Sequence, residues 1–286
     1  MKIKTYFKIY YQHRLNKANF FLKVYLYLII PFKYLLNIPY LKKKTNLDDF
    51  SKKNNFLFDK NLDYLFEYFS SDKGKKFINQ YDQPIKRNSD LKIVGHDYAK
   101  FYEEIFNKLK NKKINILEIG SFYGNAAAAI FFYLENAKIF SADIFPDLFS
   151  YKSNRIKNFY VDSSNETSIQ KNIIDLKKNF EIIIEDASHS YKDQIISLFM
   201  LFPLINSGGF FITEELDFPD TRDDMNLNKE KPTLRDILLN IKNGNDFNSS
   251  LITGEQKEYF LKNYDNILIL KGNFNEIAII SKKWKI

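Results

Sequence analysis

The middle of the chain alternates between short apolar runs and segments with the composition or spacing of helices. The apolar runs, each typical of a buried strand, cover residues 114–119, 138–142, 158–161, 180–184 and 210–212. The helical segments between them cover residues 123–134, 165–178 and 191–204. Strands and helices that alternate in this order form right-handed crossovers and a largely parallel sheet. The pattern predicts an α/β fold built on a doubly wound, mostly parallel sheet.

Both ends of the chain add to this plan. Two apolar runs, 266–270 and 276–280, flank a turn at 271–273, which indicates an antiparallel C-terminal hairpin and a sheet of seven strands. Residues 41–60 are polar and rich in Lys and Asn, which indicates a linker. The predicted organisation is an arm and linker, 1–60, followed by one folded domain, 61–286.

Composition limits the chemistry. The chain has 286 residues, of which 45% are hydrophobic and 17% aromatic, enough for a packed core and against disorder. It contains no cysteine, which excludes a disulfide framework, thiolate metal sites, iron–sulfur clusters and a cysteine nucleophile. The lack of cysteine fits a reducing compartment, and we predict a cytoplasmic location.

Positive charge is concentrated in the N-terminal arm. Residues 1–47 contain nine Lys, one Arg and no Asp or Glu, so they carry +10 in a chain whose net charge is +8. The remaining residues therefore carry −2. A nucleic-acid groove needs positive charge on the folded body, so we predict no binding of nucleic acid.

The arm is also apolar over residues 19–36. Lys23, Pro31 and Lys33 interrupt this run, whereas a membrane-spanning helix needs about 20 apolar residues with few charges. The mixture of basic, aromatic and aliphatic residues is typical of a helix in the membrane interface. We expect a helical arm whose residues 1–44 contact the inner face of a membrane peripherally. Packing on the body, assembly into a homo-oligomer and a true span are the alternatives.

Four carboxylates and a histidine follow two predicted strands. Glu185, Asp186 and His189 come after the fourth strand, and Glu214 and Glu215 come after the fifth. The carboxyl ends of parallel strands meet at one edge of a sheet, so these side chains should lie close together. Carboxylate oxygens suit Mg²⁺ or Ca²⁺ better than zinc, and a histidine beside such an ion is a candidate general base. Solvated or helix-capping carboxylates would give the same pattern.

A glycine-containing loop, residues 117–125, links the first strand to an alanine-rich helix. Glycine lets backbone approach a ligand closely, and the start of a helix offers N–H groups to it. A dinucleotide fingerprint would need glycine at positions 120, 122 and 125, but the last two are Phe122 and Asn125. The loop therefore disfavours NAD and suits a ligand without phosphate.

This loop resembles the first motif of class I S-adenosylmethionine-dependent methyltransferases, with Glu118, Gly120 and Gly124 at matching places. In that family an acidic residue after the second strand binds the ribose hydroxyls, and another after the third lies beside the adenine. The corresponding residues here are Asp143 and Asp162. The resemblance implies an S-adenosylmethionine site. The residues it assigns to the cofactor are Glu118, Gly120, Ser121, Gly124, Asp143, Asp162 and Asp186.

The carboxylate segments carry a narrower resemblance. Residues 186–189, Asp-Ala-Ser-His, resemble the Asp-Gly-Ser-His signature of metal-dependent sugar O-methyltransferases, a family that includes macrolide-sugar enzymes and cephalosporin hydroxylase-like relatives. Residues 214–215, Glu-Glu, stand where that family has Glu-Asp. Two upstream motifs also match, Asp-Lys-Gly at 72–74 and His-Asp-Tyr at 96–98. The chain departs from the family in having alanine at 187 and glutamate at 215.

The resemblance implies an S-adenosylmethionine- and Mg²⁺-dependent O-methyltransferase that acts on a sugar hydroxyl of a glycan, a glycolipid or a glycosylated metabolite. In that assignment Asp186, Glu214 and Glu215 bind the metal, and His189 is the catalytic base. An unperturbed histidine, with a pKa of about 6.5, can accept a proton near neutral pH. The loop over 217–232 would form a substrate lid.

Three other functions remain open. A phenolic acceptor, as in catechol-type methyltransferases, would use similar metal chemistry. A non-catalytic, membrane-associated scaffold could keep the fold and the cofactor site. An iron oxygenase needs two histidines and one carboxylate, so His96 and His189 would have to converge.

Overall fold

The computed structural model describes residues 1–38, 44–78 and 92–284. The helices are α1 (Ile3–Lys17), α2 (Phe20–Asn37), α3 (Leu47–Lys53), α4 (Leu62–Phe69), α5 (Ala99–Phe106), α6 (Asn125–Tyr133), α7 (Glu166–Asn172), α8 (Tyr191–Leu201), α9 (Phe218–Thr221), α10 (Leu234–Lys242) and α11 (Gly254–Asn263). The strands are β1 (Thr45–Asn46), β2 (Lys76–Ile78), β3 (Lys92–Val94), β4 (Ile114–Ile119), β5 (Ala137–Asp143), β6 (Tyr151–Lys152), β7 (Ile156–Tyr160), β8 (Phe180–Glu185), β9 (Ile205–Thr213), β10 (Tyr264–Lys271) and β11 (Glu276–Lys282).

Seven strands form the main sheet in the order β10-β11-β9-β8-β4-β5-β7. The five strands from β9 to β7 in this order are mutually parallel, and β11 runs antiparallel to both β9 and β10. The predicted α/β fold, with its mostly parallel sheet of seven strands and its antiparallel C-terminal hairpin, is confirmed. Two short pairs, β1 with β6 and β2 with β3, lie outside this sheet.

The register of the central strands brings four loops to one edge of the sheet. Ile119 in β4 is the partner of Ala142 in β5 and of Glu185 in β8. Glu185 is in turn the partner of Thr213 in β9. The segments that follow these four strands therefore start side by side at the same edge of the sheet. The chain order along the sheet reverses between β4 and β8, and doubly wound sheets bind their ligands at such a point.

Apolar side chains cover both faces of the sheet. Along β8, Ile182 faces one cluster, which includes Phe66 of α4 and Phe132 of α6. The next residue, Ile183, faces the other cluster, which includes Leu198 of α8. Because burial of a large apolar side chain contributes about 1.5–3 kcal/mol, these clusters hold the sheet and its loops in place.

The arm consists of two helices, α1 and α2, packed against each other around a small core of their own. That core is formed by Tyr6, Tyr11, Leu15, Leu26 and Ile30. The expected helical character of the arm is thus present.

The division of the chain at residue 60 stays a prediction. Residues 44–60 pack against the body, because β1 pairs with β6 and both Leu47 and Leu57 are fully buried in the cluster that contains Ile182. Residues 41–43 of the predicted linker lie outside the described residues.

Candidate active site

The loops after β4, β5, β8 and β9 surround a cavity of about 540 Å³. Small-molecule sites typically enclose about 300–1,000 Å³, so the cavity has the size for a cofactor with part of a substrate. Five of the residues that the sequence assigns to the cofactor line this cavity: Glu118, Gly120, Ser121, Asp143 and Asp186.

Close approaches require the two glycines of the first loop. Gly120 has a φ of +92°, and a Cβ there would lie 1.9 Å from the carbonyl oxygen of Asp186. Gly124 has a φ of +77°, and a Cβ there would lie 2.4 Å from the ring of Phe149. Only glycine tolerates both conditions. Gly120 thus lets the loop cross directly over the segment that carries Asp186, and Gly124 seats the loop on Phe149.

Asp143 ends β5 with its carboxylate held by backbone groups. Its Oδ2 accepts a hydrogen bond from the N–H of Phe122 at 2.8 Å, and its Oδ1 accepts one from the N–H of Phe145 at 2.7 Å. A carboxylate oxygen has a second lone pair, so both oxygens can still accept a bond from a ligand. The position suits the predicted contact with ribose, which stays a prediction.

Asp162 is not among the described residues that line the cavity. Its Oδ1 accepts bonds from the N–H and the hydroxyl of Ser164, at 3.1 and 2.6 Å. The strand before it, β7, is the outermost of the sheet and lies two places from β4. Asp162 therefore stabilises its own turn, and its predicted contact with the adenine stays a prediction.

Asp186, His189 and Glu215 form a group able to bind a metal ion. One ligand atom from each residue lies within 4.8 Å of the other two. The Nε2 of His189 is 3.8 Å from Oδ1 of Asp186, and its Nδ1 is 3.6 Å from Oε2 of Glu215. Both separations exceed hydrogen-bonding distance, so the three groups face one another without being bonded.

Lys73 places a positive charge beside this group. Its Nζ donates to Oδ2 of Asp186 and lies 2.8 Å from Oε1 of Glu214, and the Lys73 and Glu214 side chains are each only 2% exposed. Burial alone would lower the pKa of Lys73, but the two carboxylates outweigh it and hold the pKa well above its usual value. Tyr102 donates its hydroxyl to the same Glu214 oxygen. Glu214 is thus engaged by two donors of the chain, and its predicted role as a metal ligand stays a prediction.

The cluster holds more acidic groups than Lys73 can neutralise. Burial raises the pKa of Asp186 and of Glu214 to about 7, although Lys73 acts in the opposite direction. Burial also raises the pKa of Glu215 well above its usual value. Oε2 of Glu215 and Nδ1 of His189 are buried without a hydrogen-bond partner among the described residues. Buried carboxylates in excess, with unpartnered ligand atoms between them, fit a bound divalent cation.

His189 is in the protonation state that a general base requires. Burial and the nearby charge of Lys73 lower its pKa to about 3, so the imidazole is neutral at physiological pH. Its ring meets the ring of Phe218 edge to face, with 5.4 Å between centroids. The backbone is left-handed at His189, with a φ of +56°, and at Glu215, with a φ of +46°. Such conformations cost non-glycine residues about 1–3 kcal/mol each and are concentrated at functional sites.

His96 is a second histidine in the cavity wall. Its Nδ1 lies 3.2 Å from Oε1 of Glu215 and 3.3 Å from Nδ2 of Asn275. His96 and His189 therefore converge on one carboxylate. The metal-capable group found in the described part of the chain contains His189 alone with two carboxylates. This composition disfavours the iron site of two histidines and one carboxylate.

The loop over 217–232 contributes Phe218, Arg222 and Met225 to the cavity wall, which agrees with the position expected of a lid. The guanidinium of Arg222 lies 4.7 Å from the centroid of the Phe218 ring. The sequence pattern gives no role to these side chains, nor to Lys73 and Tyr102. The one signal for any of them is the place of Lys73 in the Asp-Lys-Gly motif.

Glu185 gives a pH-dependent prediction. It is fully buried, its Oε2 has no hydrogen-bond partner in the described chain, and burial raises its pKa from 4.5 to about 8. The folded protein therefore keeps a proton that the unfolded chain releases. The resulting stability is complete below pH 4.5 and is lost as the pH rises to about 8. Within that window the loss is about 1.4 kcal/mol per pH unit.

Glu185→Gln keeps the shape of the side chain and cannot ionise. We expect the free energy of unfolding of this variant to exceed that of the wild type by more and more as the pH is raised from 4.5 to about 8. Urea denaturation in metal-free buffer measures the difference. Glu104→Gln, at an exposed position of α5, is the control and should follow the wild type. Parallel curves for Glu185→Gln and the wild type would remove Glu185 as the source of the effect.

Comparison with known proteins defines the class of fold. No protein-family model matches the chain. The MycE methyltransferase of the mycinamycin biosynthetic pathway, solved in complex with Mg and SAH, superposes with a TM-score of 0.59 at 17% identity, covering 79% of this chain and 55% of that one. Its complex with Mg, SAH and mycinamycin VI gives a TM-score of 0.55 at 18% identity, with the same coverage. The chain therefore has the class I methyltransferase fold.

Two curated relatives, both from Streptomyces olivaceus, carry the sequence likeness. One is the 8-demethyl-8-(2-methoxy-alpha-L-rhamnosyl)-tetracenomycin-C 3'-O-methyltransferase, 26% identical over 135 residues, which are 45% of this chain and 34% of the relative. The other is the 8-demethyl-8-alpha-L-rhamnosyl tetracenomycin-C 2'-O-methyltransferase, 26% identical over 128 residues, which are 42% and 33%. The match spans about a third of the length of each relative. The resemblance to sugar O-methyltransferases is confirmed.

Proposed function

We propose that this protein is an S-adenosylmethionine- and Mg²⁺-dependent O-methyltransferase that acts on a sugar hydroxyl. One observation carries the proposal. The loop that resembles the methyltransferase cofactor motif and the metal-capable group of Asp186, His189 and Glu215 line a single cavity. A cofactor that donates a methyl group and a metal that activates its acceptor would therefore meet there.

Glu118 is the residue whose surroundings best fit S-adenosylmethionine. It lines the cavity, and its buried Oε2 has no hydrogen-bond partner among the described residues. Burial raises its pKa to about 7, so a donor from a ligand would stabilise the ionised form. Together with Gly120, Ser121, Gly124 and Asp143 it would hold the cofactor. Bound S-adenosylmethionine would supply a methyl group on a positively charged sulfur.

Asp186 and Glu215 would hold the metal, with Glu214 as the third carboxylate beside them. Mg²⁺ prefers oxygen ligands to imidazole, which leaves His189 available for proton transfer. Bound Mg²⁺ would supply positive charge that stabilises a hydroxyl oxygen as it loses its proton.

The chain's own side chains have distinct tasks in this proposal. His189, neutral at physiological pH, accepts the proton of the acceptor hydroxyl. Glu215, 3.6 Å from Nδ1, would be ionised beside a bound metal and would then stabilise the imidazolium that results. Lys73 holds Asp186 in a fixed orientation through Oδ2, which leaves Oδ1 facing His189. Phe218 covers the imidazole and limits access of water to it.

The acceptor in this proposal is a sugar hydroxyl of a glycan, a glycolipid or a glycosylated metabolite, and modification of a polysaccharide is one such role. The rhamnosyl tetracenomycin methyltransferases and the MycE complex with mycinamycin VI support a sugar-containing substrate. We also propose a cytoplasmic location, with peripheral contact to the inner face of a membrane through residues 1–44. Assembly into a homo-oligomer stays a prediction.

Calorimetry combined with a transfer assay tests the function. S-adenosylmethionine is titrated into the protein with and without Mg²⁺. Labelled S-adenosylmethionine is then incubated with the protein and either rhamnosyl glycosides or catechols, again with and without Mg²⁺. We expect the cofactor to bind in both conditions and the methyl group to reach the sugar only with Mg²⁺. Transfer to catechols but to no sugar would establish the phenolic alternative. Cofactor binding with no transfer to either class of acceptor would favour the scaffold.

A further inference from the structure

Helix α2 presents an apolar face that no other part of the described chain covers. Ten large apolar side chains on it are between 43% and 82% exposed, and eight of them lie on one side of the helix. The side that carries Leu26, Ile30 and Asn37 is buried. At 3.6 residues per turn the two sets lie on opposite sides of the helix. We call the set of eight the outer face; it consists of Phe20, Phe21, Val24, Tyr25, Leu28, Phe32, Leu35 and Leu36.

Contacts with α1 fix the direction in which the outer face points. Asn37 donates its side-chain amide to the hydroxyl of Tyr6 at 2.7 Å, and Tyr34 donates its hydroxyl to the carbonyl of Met1 at 2.8 Å. Phe7 stacks on the ring of Tyr27, with 5.5 Å between centroids. The helix is therefore held by its inner side, with the outer face directed away from α1.

Charge decides what can cover the outer face. Residues 1–47 carry +10 and contain no acidic side chain. Lys2, Lys4, Lys8 and Lys23 are exposed. Two copies of so basic a segment repel each other, whereas an anionic lipid leaflet attracts it, by about fivefold in partition for each lysine near the surface. The observed combination of apolar and basic side chains thus favours a lipid surface over a second copy.

The packing of α2 favours a helix in the plane of the membrane over one that crosses it. α2 has the length and composition of a span, with 18 residues of which 17% are buried. A crossing would break the contact of Asn37 with Tyr6 and turn the α1-facing side towards lipid. A helix in the interface keeps that contact and inserts only its outer face.

The arm joins the body at a loop of the active-site cavity. Asp147 accepts hydrogen bonds from the N–H of Lys2 at 2.6 Å and from the hydroxyl of Thr5 at 2.9 Å. Lys8 lies 5.4 Å from the centroid of the Phe145 ring, and Phe145 lines the cavity. A membrane that binds the arm would therefore lie beside the loop that follows β5, at the wall of the cavity.

We propose that the outer face of α2 docks into the interface of a bilayer that contains anionic lipid. The docking itself is independent of the reaction. Docking brings the cavity loop to the lipid surface. If the proposed function holds, this position favours an acceptor sugar carried by a lipid, and only this conclusion about the acceptor rests on the proposed function.

Sedimentation of the full-length protein with vesicles tests the docking. Vesicles of phosphatidylcholine alone are compared with vesicles that also contain phosphatidylglycerol. Phe21→Glu/Leu28→Glu changes the outer face, and Leu261→Glu/Leu268→Glu adds the same charge at apolar positions of the body that are 36% and 39% exposed. Circular dichroism and the melting temperature show whether each variant is folded.

We expect the wild type and the body variant to sediment with anionic vesicles only, and Phe21→Glu/Leu28→Glu to stay in the supernatant with an unchanged melting temperature. Lys4→Gln/Lys8→Gln should lower the partition by about fivefold per lysine. Wild-type protein that stays in the supernatant overturns the proposal. A wild-type dimer that binds no vesicles, and that becomes a monomer in Phe21→Glu/Leu28→Glu, also overturns it. Membrane-bound protein that alkaline carbonate does not release overturns it as well, because such protein crosses the bilayer. The assay needs no methyl transfer, so its failure is distinct from failure of the proposed function.

Discussion

Replacing His189 by asparagine is expected to slow methyl transfer by about 10²–10⁴-fold, the usual contribution of a general base. Affinity for S-adenosylmethionine should be nearly unchanged, because His189 lies beside Asp186 and Glu215 and not on the loop that follows β4. Asparagine is chosen because the backbone at His189 has a φ of +56°, which asparagine tolerates better than most residues. Single-turnover rates and calorimetric titration measure the two quantities separately.

His96→Asn is the matched control for this experiment. His96 also lines the cavity and contacts Glu215, at 3.2 Å, but lies outside the metal-capable group. Its loss should slow transfer far less than the loss of His189. An unchanged rate in His189→Asn, or an equal fall in both variants, would assign the base to another group.

Replacing Lys73 by methionine is expected to lower the free energy of unfolding by about 3–5 kcal/mol at a pH above 7, the usual cost of leaving a buried charge without its partner. The cost should shrink in acid. Burial raises the pKa of Asp186 and of Glu214 to about 7, so both carboxyls hold protons in acid and lose little when Lys73 is removed. The loss of stability therefore grows as the pH rises through 7. Urea denaturation on either side of this value measures the difference.

Lys282 supplies the matched control for Lys73. It is also buried, but its Nζ donates to the backbone carbonyls of Phe202, Pro203 and Ile205, at 3.3, 3.1 and 2.7 Å. These carbonyls do not titrate, so Lys282→Met should destabilise the protein equally at both values of pH. A pH-independent loss in Lys73→Met would show that its ion pairs do not govern stability.

The sheet is predictable because each of its central strands is a short apolar run between polar turns. The predicted run 114–119 coincides with β4, and the run 180–184 falls one residue short of the end of β8. The alternation with helices then fixes parallel strands, and parallel strands place their carboxyl ends together. The proximity of Gly120, Asp143 and Asp186 follows from chain order alone.

The partners of the acidic residues are not predictable in the same way. Lys73 lies 113 residues before Asp186, and Tyr102 lies 112 before Glu214. A lysine in a polar turn is normally exposed, and only tertiary packing of the segment after α4 buries it. Asp162 follows its strand as expected, but position along the chain does not reveal that its carboxylate bonds to Ser164.

Calorimetric titration of Mg²⁺ into metal-free protein tests most directly whether a divalent ion binds between the ends of β8 and β9. We expect one ion per chain for the wild type and loss of this binding in Glu215→Gln, which keeps the side chain's shape and removes its charge. The prediction rests on Asp186 and Glu215, whose carboxylate oxygens lie within 4.8 Å of each other beside His189. A wild-type protein that binds no Mg²⁺, or a variant that binds it with undiminished affinity, would contradict the account.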